Sequence, residues 1–343
     1  MLQKEFADQF EAGILHGAVI AGGTLSEFFA PRAFGYAEPS RLRPLRVDSI
    51  FDLASVSKVL ATISALLIAR DKGLLDFDRP FTEYLPHYRV LLPQPISIRD
   101  LAMHISGFGG QGYYDAQSSE EIRRNLLSQP PPNPYGQYEY SCWNYHLLSM
   151  IVEELTKKPF AVFCKEEIFL PLGMNETNLG SPCTSEMARL TQSCATDGAG
   201  QISDFIAVRL FRDGFNTGNA GAFSCAQDLM KFCRCLLQKG QTAAGKQLFS
   251  AAAMQDISTP RMSSGKVKRA LGWIVKDESK PAGFSEKTIY HSGWSGQSLF
   301  VDFEKQFFAV ILTVRALEEY DRAKAGRFKL IAELARECRL LDE

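Results

Sequence analysis

Residues 49–73 constrain the chain most, because they join a tight turn to a long apolar helix. After Phe51-Asp52-Leu53-Ala54-Ser55-Val56-Ser57-Lys58 the pattern turns helical: Leu60, Ile63, Leu67 and Ile68 recur at helical spacing, Arg70 and Lys72 close the last turn, and Gly73 suits a left-handed cap. Ser55 therefore sits where a helix begins. Lys58, three residues on, lies one turn along the same face, so its amine reaches the Ser55 hydroxyl, and the free N–H groups of the first turn point into the same space. A hydroxyl, an amine and oriented donors suit nucleophilic chemistry. An N-cap serine followed by a solvated lysine would show the same spacing.

The spacing alone is weak, since a chain of this length carries roughly one Ser-x-x-Lys match by chance. A competing match, Ser263 and Lys266, lies in Met262-Ser263-Ser264-Gly265-Lys266, a polar turn with no apolar helix behind it. Context favours Ser55.

With 343 residues and 45% hydrophobic content, the chain can build one large domain or two interleaved ones. Its 38 basic and 39 acidic side chains balance, which gives no long-range field for nucleic acid or an anionic membrane. The eight cysteines are scattered, Cys233-Arg234-Cys235 lacks the gap of a zinc or redox pair, and no His or Cys cluster stands nearby. They read as reduced, mostly buried thiols, with no metal or cofactor called for. The amino end has no apolar signal segment, and the longest apolar run, residues 59–69, is too short to cross a bilayer. A cytoplasmic protein without membrane insertion is expected, although a chain trimmed of a secretion signal would read the same. Oligomeric state has no sequence signal here.

Residues 5–14 read as an amphipathic helix, and residues 17–22 and 25–34 as a hairpin turning at Gly22-Gly23. Ser97-Ile98-Arg99-Asp100 is a capping box, and Ser224 with Gln227 reads as a second one, opening a helix that runs to Gly240. Gly107-Phe108-Gly109-Gly110-Gln111-Gly112 matches the dinucleotide fingerprint but follows a helix and lacks a βαβ setting, so it is set aside. Residues 117–240 read as mainly helical. Strand-like runs return at 271–275, 288–291, 298–302 and 307–313, and a terminal helix shares Phe328, Ile331, Leu334 and Cys338 on one face. Strands at both ends with a helical middle imply one sheet built from the two termini.

A lysine holds its proton to about pH 10.4, so Lys58 needs a neighbour or burial to act as a base. Tyr140, at the end of the proline-set segment 130–134 and just before a helix, is the candidate to share that proton. His291-Ser292-Gly293-Trp294 ends a strand: Gly293 would let a substrate lie against it, and the Trp294 N–H would join that of Ser55 in an oxyanion hole.

Ser55-Val56-Ser57-Lys58, Tyr140-Ser141-Cys142 and His291-Ser292-Gly293, in that order, resemble the Ser-x-x-Lys, Tyr-x-Asn and Lys-Thr-Gly motifs of the serine β-lactamase and penicillin-binding superfamily. The order and spacing are most similar to the class C branch with its esterases and D-specific peptidases. Phe51-Asp52-Leu53-Ala54, His104-Ile105-Ser106-Gly107, Pro171-Leu172-Gly173-Met174, Gly218-Asn219-Ala220-Gly221 and Trp294-Ser295-Gly296-Gln297-Ser298-Leu299 support the likeness, which covers residues 15–320. It implies an α/β (α+β) fold: an antiparallel sheet flanked by helices from residues 1–75 and 241–343, with a helical domain, 76–240, inserted and the active site between them.

The resemblance also implies roles. Ser55 would be the acylated nucleophile, Lys58 and Tyr140 the proton-shuttling pair, and the N–H groups of Ser55 and Trp294 the oxyanion hole. Two positions depart from the pattern. Cys142 stands where the family often has Asn, and a thiol cannot replace the two-sided contact of an amide. His291 stands where many members have Lys, and a histidine, only partly charged at neutral pH, weakens recognition of a carboxylate. His104 reads as structural. The implied activity is a metal-independent serine hydrolase acting on esters or small D-amino-acid amides. A DD-peptidase or weak β-lactamase is the alternative enzyme, and an inactive or slowly acylated penicillin-recognising module the alternative from another class.

Overall fold

Strands from the two ends of the chain alternate in phase, which lets them share one sheet. The computed structural model describes residues 1–109, 118–194, 198–281 and 283–338. Its strands are β1 Leu15–Thr24, β2 Phe28–Gly35, β3 Phe51–Asp52, β4 Asn178–Leu179, β5 Ala222–Ser224, β6 Met262–Ser264, β7 Val267–Arg269, β8 Ile274–Lys276, β9 Thr288–Ser292, β10 Gln297–Asp302 and β11 Phe307–Arg315. Eight of them form an antiparallel sheet in the order β2-β1-β11-β10-β9-β8-β7-β6, and β3-β5-β4 form a small second sheet.

Val19 of β1 lies opposite Leu312 of β11, and Ile20 opposite Ile311. The two-residue period sends Ala18, Ile20 and Ile311 to one face, where Tyr290, Phe300, Phe328 and Ile331 complete a core under the C-terminal helix Tyr320–Glu337. Val19, Ala21, Val310 and Leu312 point the other way, into a larger core shared with helices Ser64–Asp71, Cys142–Thr156 and Ala226–Leu237. The last of these lies directly on β1, β10 and β11. Burying a side chain such as Leu60 or Leu67 contributes about 1.5–3 kcal/mol, so the helix that follows Ser55 is anchored by its whole apolar length.

Several local expectations hold. Gly73 has φ +74° behind the helix Ser64–Asp71, and Ser97 with Asp100 makes both bonds of a capping box. Others are revised. The hairpin turns after Thr24, whose N–H donates to the Glu27 carbonyl at 2.8 Å, while Gly22 and Gly23 lie inside β1, where a side chain would strike the Phe308 and Glu27 carbonyls. Ser224 caps nothing: it ends β5, its hydroxyl 2.7 Å from that of Thr177, and Cys225 precedes the helix Ala226–Leu237 without a side-chain cap. Of the glycine-rich stretch set aside above, Gly110, Gln111 and Gly112 lie outside the described residues. Among the described residues no helix is long and apolar enough to cross a membrane.

Candidate active site

Ser55 follows a turn, and Lys58 begins a stretch of π-helix, Lys58–Ile63, before the regular helix starts. The sequence periodicity pointed to a uniform α-helix there, yet short wide turns of this kind recur at functional sites. The amide N–H groups of Val56, Ser57 and Lys58 each reach back three residues, to Leu53, Ala54 and Ser55. The tight turn leaves the Ser55 side chain beside that of Lys58.

Lys58 is buried, and its Nζ has three acceptors: Ser55 Oγ at 3.0 Å, the Asn219 carbonyl at 2.9 Å and Cys142 Sγ at 3.4 Å. An ammonium carries three donors, so the arrangement is saturated. Burial by itself pulls the Lys58 pKa down, but Cys142 and Tyr140, when anionic, and Asp204 push it up, and the net displacement is upward.

Tyr140 stands beside this pair. Its ring centroid is 5.1 Å from Nζ, and Lys58 and Ser55 both act on its phenol. The phenol pKa is raised, by burial of its hydroxyl first, against the downward pull of the Lys58 charge. His104, read from sequence as structural, holds the Tyr140 segment in place: its Nδ1 accepts the Ser141 N–H at 3.1 Å and its ring lies 4.5 Å from that of Tyr140. Ser141 in turn caps the helix Cys142–Thr156, which sets Cys142 at the first helical position with its sulfur toward Lys58.

From the opposite side comes the end of β9. A Cβ on Gly293 would stand 2.4 Å from the Leu53 carbonyl, so the absence of a side chain lets β9 touch the turn that carries Ser55. Trp294 follows, 41% exposed, with its carbonyl accepting from Arg315 Nε at 2.8 Å and its ring 4.8 Å from the same guanidinium. Among the described residues, neither the Ser55 nor the Trp294 N–H has an acceptor, which leaves both able to receive a ligand oxygen.

His291 departs from the sequence reading in its charge. The ring is 1% exposed, its Nδ1–H donates to the Ser292 carbonyl at 3.1 Å, and burial, then Arg269, then Lys58 hold its pKa well below the usual range. At neutral pH it is uncharged rather than partly charged. Arg269, also buried, donates to the Gly272 carbonyl at 2.9 Å and reaches the Tyr138 hydroxyl at 3.4 Å.

Two contributors were not assigned a role from sequence. Asn219 lies in the quoted stretch Gly218-Asn219-Ala220-Gly221, and its backbone oxygen receives Lys58 while its side chain is locked by Asp204, 3.0 Å away, and by the Thr217 hydroxyl, 2.5 Å away. Asp52 lies two residues before Ala54 and accepts that residue's N–H at 3.2 Å. Both sit in recognisable flanks, but a backbone acceptor has no residue-type signature. The decoy pair is on the β6–β7 hairpin at the edge of the sheet, where Lys266 meets Glu278 at 2.8 Å. A groove of 670 Å³ on the outer side of the C-terminal helix, lined by Glu5, Asp321, Phe328 and Arg336 among others, shares no residue with this site.

The antiparallel sheet with its helical layers is the fold of the β-lactamase-related serine hydrolases. The family described as Beta-lactamase matches residues 5–333, and the chain belongs to it. Penicillin-binding protein 4* of Bacillus subtilis is 27% identical, over 87% of this chain and 67% of its own length. Esterase EstB of Burkholderia gladioli is 28% identical, over 89% of this chain and 87% of its own. A class C beta lactamase from Rhodobacter sphaeroides superposes with a TM-score of 0.76 over 97% of this chain and 99% of its own, at 19% identity, which shows a shared fold.

Proposed function

We propose that this serine hydrolase works through an acyl-enzyme on Ser55, and that its substrates are esters or small D-amino-acid amides rather than β-lactams. The observation that carries the first part is the buried Lys58 Nζ with Ser55 Oγ as one of its three hydrogen-bond partners. A protonated Lys58 has no lone pair to accept the serine proton, so the reactive form is the Lys58–Tyr140 pair with one proton fewer. Ser55 Oγ attacks the substrate carbonyl carbon while its proton passes to that pair. The carbonyl oxygen, now negative, takes the Ser55 and Trp294 N–H groups. Collapse expels the alcohol or amine, which leaves with the proton from the pair, and water then repeats the sequence on the acyl-enzyme.

The substrate reading rests on two side chains. A thiol at 142 offers no amide to align an acyl side chain, and a buried, neutral His291 supplies no positive charge to a substrate carboxylate. The likeness to EstB runs the same way. The names of other relatives, penicillin-binding protein 4* and a putative D-alanyl-D-alanine carboxypeptidase of Escherichia coli that is 26% identical over 77% of this chain and 69% of its own length, favour peptidase action as the second reading. Labelling with a fluorophosphonate, located by mass spectrometry, tests the mechanism: Ser55 takes the label, Ser55→Ala does not, and Ser263→Ala labels normally. Label retained in Ser55→Ala removes the mechanism.

A further inference from the structure

The residue before the candidate nucleophile, Ala54, has φ +43°, in the left-handed region that an alanine enters only when held there. What holds it is Asp52. This carboxylate is 3% exposed; one oxygen accepts the Ala54 N–H at 3.2 Å, and the other accepts the Ser203 N–H at 3.1 Å and the Ser203 hydroxyl. The Asp52 backbone oxygen is used as well, receiving Ser295 Oγ at 2.9 Å and Gln297 Nε2 at 3.0 Å. Ser295 and Gln297 follow Trp294, whose N–H belongs to the proposed oxyanion hole.

We infer that Asp52 is a positioning residue for acylation: its ionised carboxylate fixes the turn that aims Ser55, and its carbonyl ties that turn to the loop of Trp294. The inference rests on Ser55 being the nucleophile. One carboxylate oxygen faces the Ala54 N–H and the other faces an N–H and a hydroxyl that donate to the charged form, so protonation of Asp52 weakens these bonds and loosens the Ala54 turn. The group is placed to make that change at mild acidity. Burial first, and then Asp204, raise its pKa to about 6 against the lowering effect of the Ser203 and Ala54 bonds. The neighbouring β5 brings Phe223 opposite Asp52, and the loop after Trp294 brings Ser295 and Gln297; neither adds a charge. Asp204 is the charged group acting on it among the described residues.

The test uses the whole protein and reads hydrolysis of a p-nitrophenyl ester from pH 4.5 to 9, with fluorophosphonate labelling alongside. In the parent protein the logarithm of the rate should steepen below about pH 6, where loss of Asp52 ionisation adds to the slower loss from the Lys58–Tyr140 pair. Asp52→Asn keeps the shape but faces Ser203 with an amide N–H, so kcat should fall at least tenfold at pH 8 with KM within about twofold, and the extra steepening should vanish. Ser203→Ala removes a bond to the charged form, which raises the Asp52 pKa, and should move the steepening to higher pH. This second variant answers the question should Asp52→Asn fail to fold. An Asp52→Asn enzyme with parent rates and profile, or a Ser203→Ala profile unmoved, overturns the inference. Failure of the underlying mechanism shows differently, as a parent protein that takes no label at Ser55.

Discussion

Lys58 Nζ and Cys142 Sγ stand 3.4 Å apart, so the third proton of the ammonium is directed at a sulfur. Sulfur is a weak acceptor, and an amide oxygen in its place would grip the lysine more firmly. The site is thus complete in donors and acceptors around Lys58 while remaining loosely held at one of the three.

This bears on substrate choice. An activated ester needs an attacking oxygen and an oxyanion hole, whereas a β-lactam or amide also needs its nitrogen protonated and its side chain aligned. Each lost polar contact is worth about 1–3 kcal/mol, so Cys142 and the neutral His291 together should cost amide-type substrates roughly thirty- to thirty-thousandfold. Short p-nitrophenyl esters should therefore turn over far faster than a chromogenic cephalosporin, and Cys142→Asn with His291→Lys should narrow the gap. A cephalosporin cleaved faster than the ester by the unmodified protein would favour the peptidase or β-lactamase reading.

Proton transfer sets the second expectation. The pKa values of Lys58 and Tyr140 are both raised, so the form of the pair that can accept a proton grows about tenfold per pH unit below them. The rate should climb across about pH 6 to 9, and Lys58→Arg, which cannot deprotonate, should lose about a hundredfold or more. A flat profile with an active Lys58→Arg enzyme would exclude the pair as base.

Backbone contact at Gly293 supplies a third. Its Cβ would meet the Leu53 carbonyl at 2.4 Å, and that carbonyl is rigid backbone. Gly293→Ala should keep the fold, as read by circular dichroism, yet cut acylation by more than tenfold, because β9 and the Ser55 turn must separate. Unchanged acylation would mean that the turn yields freely.

The last concerns stability. Asp256 binds Arg99 at 2.9 Å and Arg70 at 2.8 Å, its side chain only 7% exposed, and ties the helix Ala251–Ser258 to the two segments that carry those arginines. Asp256→Ala leaves two guanidinium groups short of a partner and should lower the unfolding free energy by about 3 kcal/mol, seen as a lower urea midpoint. A loss below about 0.5 kcal/mol would show the cluster to be solvated.

Much of this molecule was legible as local chemistry. The apolar spacing from Leu60 to Ile68, the glycine at 73, the capping box at Ser97 and the strand runs near 288–313 all depend on neighbours within a turn or a strand, and periodicity exposes those. So do Ser55 and Lys58, whose contact is made by a three-residue step. What tertiary structure decided is whatever required a distant group. The capping reading of Ser224 failed because β5 pairs with β3 and its hydroxyl meets Thr177. The charge of His291 depends on burial beside Arg269 and Lys58, which lie 22 and 233 positions away in the chain. The Asn219 carbonyl and the Asp52 clamp act through backbone atoms and long-range partners that residue type does not advertise. A sequence states which groups a chain owns; burial and the approach of remote backbone fix which of them are charged, which are held, and which remain free to react.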